Sequence, residues 1–232
     1  MRSILIVLVL VAFATLADVV QADERQNTEV LILRDDFEKS PLEPTDWKVS
    51  ANAGADVRVD LVGHYLILGT DPAGGSGPGI AVVSSTKRFS VLRNTLIFRS
   101  RVLTTYTDHA IYGDAQPRGL VAGTDRRNAI EFVTAYPLPN SVMCRTVAGG
   151  NVTETKVDIG QPVDSVPNVY QIVAKSSSCQ RSADFYINGV RVATHTTNIP
   201  IVPLNVYFST SDGGFQNVPV AVDWVSFDRI PQ

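Results

Sequence analysis

The sequence predicts an all-β protein, a two-sheet antiparallel sandwich of curved jelly-roll form. Three observations carry this. From Thr28 onward almost no stretch has helical periodicity. Short runs rich in Val, Ile, Tyr and Phe recur between clusters of Gly, Pro, Asn and Asp. An Asn188-Gly189 pair stands between two alternating runs in ADFYINGVRVATHTTNIP (183–200), the strongest short-range hairpin signal, because a type I′ turn needs positive φ at both central residues.

Taken in order, strands are expected at 29–33 (EVLIL), 55–61 (ADVRVDL), 65–69 (YLILG) and 79–84 (GIAVVS), each bounded by turn-forming residues. Between the last two, DPAGGSGPG (71–79) reads as a surface loop rather than a phosphate cradle, since no helix follows it. The run 94–104 (NTLIFRSRVLT) alternates, sending Phe98, Ser100 and Val102 to the core and Arg99 and Arg101 to the open side. Strands at 119–122 (GLVA) and 129–135 (AIEFVTA) follow, the latter burying Ile130 and Phe132 and exposing Glu131. Gly149-Gly150 turns the chain between strands at 142–147 (VMCRTV) and 153–159 (TETKVDI). The series closes with 169–174, the hairpin 183–188 and 190–195, then 204–209 and 220–228.

The N-terminus has the layout of a secretory signal peptide: Arg2, an apolar run over 4–16, and small residues up to a cleavage point after Ala22. A membrane anchor would need about 20 apolar residues, and the run is shorter. Residues 23–232 are then the size of one β-sandwich domain, expected outside the cytoplasm. Removing the leader takes one base and one acid and leaves the net charge at −3. A mildly acidic chain without a Lys/Arg cluster has no footprint for nucleic acid or anionic membrane, and no later segment is apolar enough for membrane insertion. In an oxidising compartment the economical reading of Cys144 and Cys179 is one disulfide, worth about 3 to 4 kcal/mol by loop closure; two separate buried thiols are the alternative. Asn151-Val152-Thr153 is a glycosylation sequon if the source is eukaryotic.

Three segments carry a family resemblance. DDFEKSPLEPTDWKV (35–49) pairs an Asp-Phe with a Trp about ten residues on; NVYQIVAKSSSCQRSADFYINGVRVATHT (168–196) has a Y-x-I … F-Y-x-x-G-x-x-V-A hairpin; VAVDWVSFDRI (220–230) has a closing V-D-W-V strand. In order and spacing these resemble the concanavalin A-like lectin/glucanase superfamily, particularly its secreted laminarinase-like domains. The resemblance implies a jelly roll in which the Asn188-Gly189 hairpin lies on the structural sheet and fixes register rather than binding sugar. Trp47 and Trp224 are expected as packing residues.

β-Glucan hydrolases of this superfamily carry Glu-x-Asp-x-x-Glu on a central strand, where alternation puts two carboxylates on one face as nucleophile and general acid. The corresponding region here, NAIEFVTAYPLP, has Glu131 alone; Val133 and Ala135 are not acidic. The lyases of the fold use a Gln, His, Tyr and Arg set. Arg99 and Arg101 are present, but Val173 stands where the histidine of that set is needed. His64, His109 and His195 lack zinc-ligand spacing, and no Gly-x-Ser-x-Gly elbow occurs. The expectation is therefore a non-catalytic, lectin-like domain that binds polysaccharide or glycan. A divergent hydrolase or lyase, or a structural or adhesion domain, is the alternative.

Sugar-binding sandwiches present a groove on the concave sheet, with aromatic rings stacking on pyranose faces and polar groups taking the hydroxyls. Arg99, Arg101, Glu131 and Arg145 are the candidates to line it, with Tyr106, Tyr112 and Tyr136 as a stacking rim. The bland alternative is a set of cross-strand ion pairs on a solvated sheet. The resemblance also implies a structural Ca2+ held by Asp223 and backbone carbonyls near the chain start; the alternative is that Asp223 bonds backbone amides.

Overall fold

The computed structural model describes residues 29–52, 55–70, 79–104, 116–123, 125–134, 141–159, 167–177, 180–211 and 220–231, except the side chains at 70, 104, 116 and 117. The expectations for the leader (1–22), the loop 71–78, Tyr106, Tyr112, Tyr136, His109 and Cys179 fall outside these residues.

In chain order the strands are β1 (Val30–Asp35), β2 (Trp47–Ala51), β3 (Ala55–Asp60), β4 (Tyr65–Thr70), β5 (Ile80–Phe89), β6 (Asn94–Thr104), β7 (Gln116–Val121) and β8 (Ala129–Thr134). Then come β9 (Ser141–Ala148), β10 (Asn151–Asp158), β11 (Asn168–Ser176), β12 (Arg181–Ile187), β13 (Val190–His195), β14 (Leu204–Ser211) and β15 (Val220–Pro231). They form two antiparallel sheets. The eight-stranded sheet runs β13-β12-β11-β6-β15-β4-β3, with β1 also paired to β15; the seven-stranded sheet runs β10-β9-β8-β7-β14-β5-β2. The expected all-β sandwich is what forms. Strand β2 was not anticipated, because its sequence WKVSA follows a Pro-containing segment that masks the alternation.

The inner faces of both sheets make one core. Phe132 of β8 lies 5.0 Å from Tyr170 on β11 and 5.3 Å, edge-on, from Phe185 on β12, while Phe98 of β6 meets Phe208 of β14 at 6.0 Å. Each pair joins one sheet to the other, and each adds about 0.5–1.5 kcal/mol to the area it buries. Local chemistry fixes the corners. Asn188 and Gly189 have φ of 51° and 80°, as a type I′ hairpin requires. The Asn188 side chain then takes the Val169 N–H at 2.9 Å and donates to Asn168 at 2.8 Å, tying the turn to the third strand. The Asp-Phe…Trp segment is a buried clasp: Asp35 accepts from the Phe37 N–H at 2.8 Å and from the Trp47 indole at 2.7 Å, so the first strand of one sheet holds the edge strand of the other.

Among the described residues the expected disulfide is not seen. Cys144 on β9 is a free thiol in the core cluster, and burial pushes its pKa up to about 12. Alternation turns it inward opposite Phe132, where it packs as a small hydrophobe.

At the other end of the core the sheets are stitched by side chains. His195, at the end of β13, is buried; its Nδ1 lies 3.0 Å from the Thr146 hydroxyl and its Nε2 2.9 Å from the Thr155 hydroxyl, both on the opposite sheet. Thr146 spends its own proton on the Thr197 carbonyl at 3.1 Å, so Nδ1 carries the imidazole hydrogen and Nε2 accepts. Burial lowers the His195 pKa from its ordinary value. A lowered folded-state pKa means that the unfolded chain binds the proton more readily, so this contribution is complete above pH ~6.5 and is lost as pH falls through the folded-state value. Thermal melts from pH 7 to pH 5 are expected to fall more steeply for wild type than for His195→Gln. Parallel curves would contradict the assignment.

Candidate functional site

Alternation on β8 sends Ile130 and Phe132 to the core and turns Ala129, Glu131 and Val133 to the outer face of the seven-stranded sheet. Register extends that face sideways. Glu131 stands opposite Arg145 of β9 and Gly119 of β7, and Arg145 opposite Glu154 of β10. On the other side Gly119 stands opposite Tyr207 of β14, Tyr207 opposite Ser84 of β5, and Ser84 opposite Lys48 of β2. One transverse row thus crosses the sheet from edge to edge.

Glu131 sits at the middle of this row and is 0% exposed, which corrects the expectation of an exposed carboxylate. The cause is a local loop. The Ala122 N–H bonds the Asn128 carbonyl at 2.9 Å, joining the two sides of the connection, and Arg126, with φ of 53°, covers the strand. Its guanidinium grips both carboxylate oxygens, Nε reaching Oε2 at 3.1 Å. Arg145 closes the other side, with Nη1 3.8 Å from Glu131 and Nε 2.8 Å from Glu154. Burial raises the Glu131 pKa against the pull of Arg126 and Arg145. Beside it the Tyr207 hydroxyl bonds Ser209 within the field of both Arg126 and Glu131, and burial pushes that phenol up as well.

The chemistry open to this group is narrow. A retaining glycosidase needs a second carboxyl about 5 Å away and an inverting one about 6.5–9.5 Å away. Among the described residues the other carboxylate that Glu131 senses is Glu154, two strands off, and the Arg145 guanidinium stands between them, 3.8 Å from one and 2.8 Å from the other, so the pair is held on a cation rather than set about an open gap. A carboxylate clasped bidentately by one arginine and flanked by another is a fixed acceptor, with no free oxygen to attack a sugar.

The four residues expected in one groove divide between the two sheets. Arg99 and Arg101 do point away from the core, but on the outer face of the eight-stranded sheet. Arg99 binds Asp228 and Glu29, each at 2.9 Å, and Arg101 binds Asp223 at 2.7 Å. Glu131 and Arg145 lie on the opposite side of the sandwich. Alternation assigns a side chain to the inside or outside of its own strand; it does not say to which sheet that strand belongs. The Asp223 carboxylate is thus engaged by a guanidinium, and among the described residues no three His, Cys, Asp or Glu side chains gather as a metal set. Asn151 is exposed at the turn between β9 and β10, where its sequon partner Thr153 bonds Thr197 and Asn198 at 2.7 and 2.9 Å. It lines a 740 Å3 cleft at that end of the molecule, with Arg181 and Ile199.

Residues that sequence reasoning did not single out complete the site. Arg126 lies five positions before Glu131, and the GTDRRN turn was its only local signal. Tyr207, together with Lys48, Ser84, Thr86, Arg88 and Asn205, borders a 170 Å3 cavity on the same face. These come from three strands far apart in sequence, so no spacing brought them together.

No protein-family model and no curated protein matches this chain. Solved structures do. An endo-1,3-β-glucanase from Streptomyces sioyaensis superposes with a TM-score of 0.69 at 14% identity, covering 88% of this chain and 97% of that one. A β-glucanase from Bacillus licheniformis gives 0.60 at 12% identity, covering 85% and 97%. The carbohydrate recognition domain of Emp47p gives 0.58 at 8% identity, covering 87% and 95%. Glucanases and a lectin domain therefore match almost end to end on backbone alone. The chain has the concanavalin A-like lectin/glucanase fold.

Proposed function

We propose that this protein is a secreted, non-catalytic carbohydrate-binding domain whose binding face is the outer face of the seven-stranded sheet. The observation that carries the reading is the state of Glu131: a lone central carboxylate, held by Arg126 and flanked by Arg145, next to a polar cavity on the same face. Glu131 is itself buried; the part-exposed Arg145 beside it, with the hydroxyls and amide of the cavity, takes sugar hydroxyls, and removing one charged partner from such a bond loses about 1.5–3 kcal/mol, tenfold or more in affinity. The solved neighbours named above include proteins that act on glucans and one that recognises carbohydrate, which favours a saccharide ligand in general. The segment 1–22 supports export.

One observation favours an enzyme as the second reading: burial raises the Glu131 carboxyl, as a general acid requires. Two assays on one polysaccharide panel separate the readings. Affinity electrophoresis is expected to retard wild type and Arg101→Ala alike on at least one polymer, and Arg145→Ala about tenfold less. Reducing-sugar release is expected to stay at background. Equal retention of all three proteins on every polymer would remove the binding face, and release of reducing ends that Glu131→Gln abolishes would replace the reading with hydrolysis.

A further inference from the structure

We infer that the cavity between β2, β5 and β14 recognises an anionic substituent of a saccharide, a uronate carboxylate or a sulfate ester. This rests on the proposed carbohydrate-binding role and adds the charge class of the ligand. The cavity exists because the pairing of β5 with β14 slips: Asn205 stands opposite Arg88, but Tyr207 stands opposite Ser84, so β5 carries extra residues. Ser85 mends the interrupted ladder from inside, accepting from the Val206 N–H at 3.0 Å and donating to the Lys87 carbonyl at 2.8 Å. The bulged strand bends away and leaves 170 Å3 bordered by Lys48, Ser84, Thr86, Arg88, Asn205 and Tyr207.

The cavity carries two cations, Lys48 and Arg88. Further along the same face two arginines are consumed by two carboxylates: Arg126 by Glu131, and Arg145 by Glu131 and Glu154. The nearest acid in sequence, Asp46, is taken by Lys87 at 2.9 Å. Among the described residues neither Lys48 nor Arg88 has an ion-pair partner. Two cations therefore flank a concave site whose remaining rim is hydroxyl, amide and the Gly123 backbone; the Asp125 carboxylate beside that glycine accepts from the Arg127 N–H at 3.2 Å. Arginine offers a planar fork that matches a carboxylate or sulfate, lysine a point charge, and Ser84, Thr86 and Asn205 the donors and acceptors that sugar hydroxyls need. The volume is below the roughly 300–1,000 Å3 of a drug-sized pocket, so it takes one charged substituent with part of its ring. Tyr207 is 4% exposed and closes the floor rather than offering a stacking face.

The test compares matched polymers by affinity electrophoresis: polygalacturonate against its carboxyl-reduced form, and dextran sulfate against dextran, with a neutral β-glucan as reference. Wild type is expected to be retained at least tenfold more strongly by one charged polymer than by its neutral match; which pair shows the difference tells carboxylate from sulfate. Arg88→Ser with Lys48→Ser, both exposed positions, is expected to abolish that difference, so that charged and neutral members of the pair are retained alike. Equal retention of wild type on charged and uncharged members of both pairs would overturn this inference and leave the carbohydrate-binding role standing. A charge preference that survives the double substitution would also overturn it. No retention on any polymer would remove both.

Discussion

Replacing Gly119 with alanine is expected to destabilise the protein by about 3 kcal/mol or more and to abolish binding with it. The residue sits on β7, between β8 and β14, at the centre of the seven-stranded sheet. A Cβ there would meet the Ile130 carbonyl oxygen at 2.4 Å and the Glu131 Cα at 2.8 Å, both backbone atoms, and φ is +153°. Neither neighbour can swing aside as a flexible side chain does, so the strand pair must separate, and the strand that moves is the one carrying Glu131. Urea unfolding should show a lower midpoint at unchanged slope. A midpoint equivalent to a loss under about 0.5 kcal/mol would mean that the approach of β7 to β8 is looser than described.

Arg118→Met is expected to act in the opposite direction. Arg118 lies one residue earlier on β7 and points into the sandwich, opposite Phe132 and Phe208, with 1% of its surface exposed. Its guanidinium carbon rests 3.9 Å above the Tyr170 ring, while none of its side-chain nitrogens has a hydrogen-bond partner among the described residues. Burial lowers its pKa against an opposing pull from the nearby Tyr170 hydroxyl, which does not reach hydrogen-bond geometry. A cation over a desolvated ring gains about 2 kcal/mol, whereas removing the charge from water costs several. Methionine keeps the length of the stem and a favourable sulfur contact with the ring. A gain of about 1–3 kcal/mol in urea unfolding is the expected result. A loss of 2 kcal/mol or more, on the order of breaking a buried pair, would show that the guanidinium has a partner.

What the sequence made legible was local. The positive φ of Asn188 and Gly189 follows from residue chemistry within a four-residue turn, and so does the Gly149-Gly150 reversal, where both glycines have positive φ. The split of Phe98, Ser100 and Val102 from Arg99 and Arg101 needs only the two-residue period of a strand, and the structure keeps it. Sheet membership is different in kind. Strand β6 lies between β11 and β15, and β7 between β8 and β14, so each site is assembled by pairing across long loops that no window of residues contains. That is why Arg99 and Arg101 were grouped with Glu131 although they face the opposite side of the molecule. The cavity at Arg88 is hidden for a related reason, since a register slip between β5 and β14 leaves no mark in the composition of either strand. Cys144 belongs with the legible part: its alternation with Arg145 already pointed the thiol inward, and the oxidising compartment outweighed that signal in the reading.

The most direct measurement is backbone amide shift mapping of the 15N-labelled protein during titration with oligosaccharides of the best-retained polymer. Saturable shifts concentrated on β2, β5, β8, β9 and β14, with the amides around Arg99, Arg101 and Asp223 unmoved, are the predicted result. Shifts confined to β6, β11 and β15 would place the ligand on the other side of the sandwich and contradict the account.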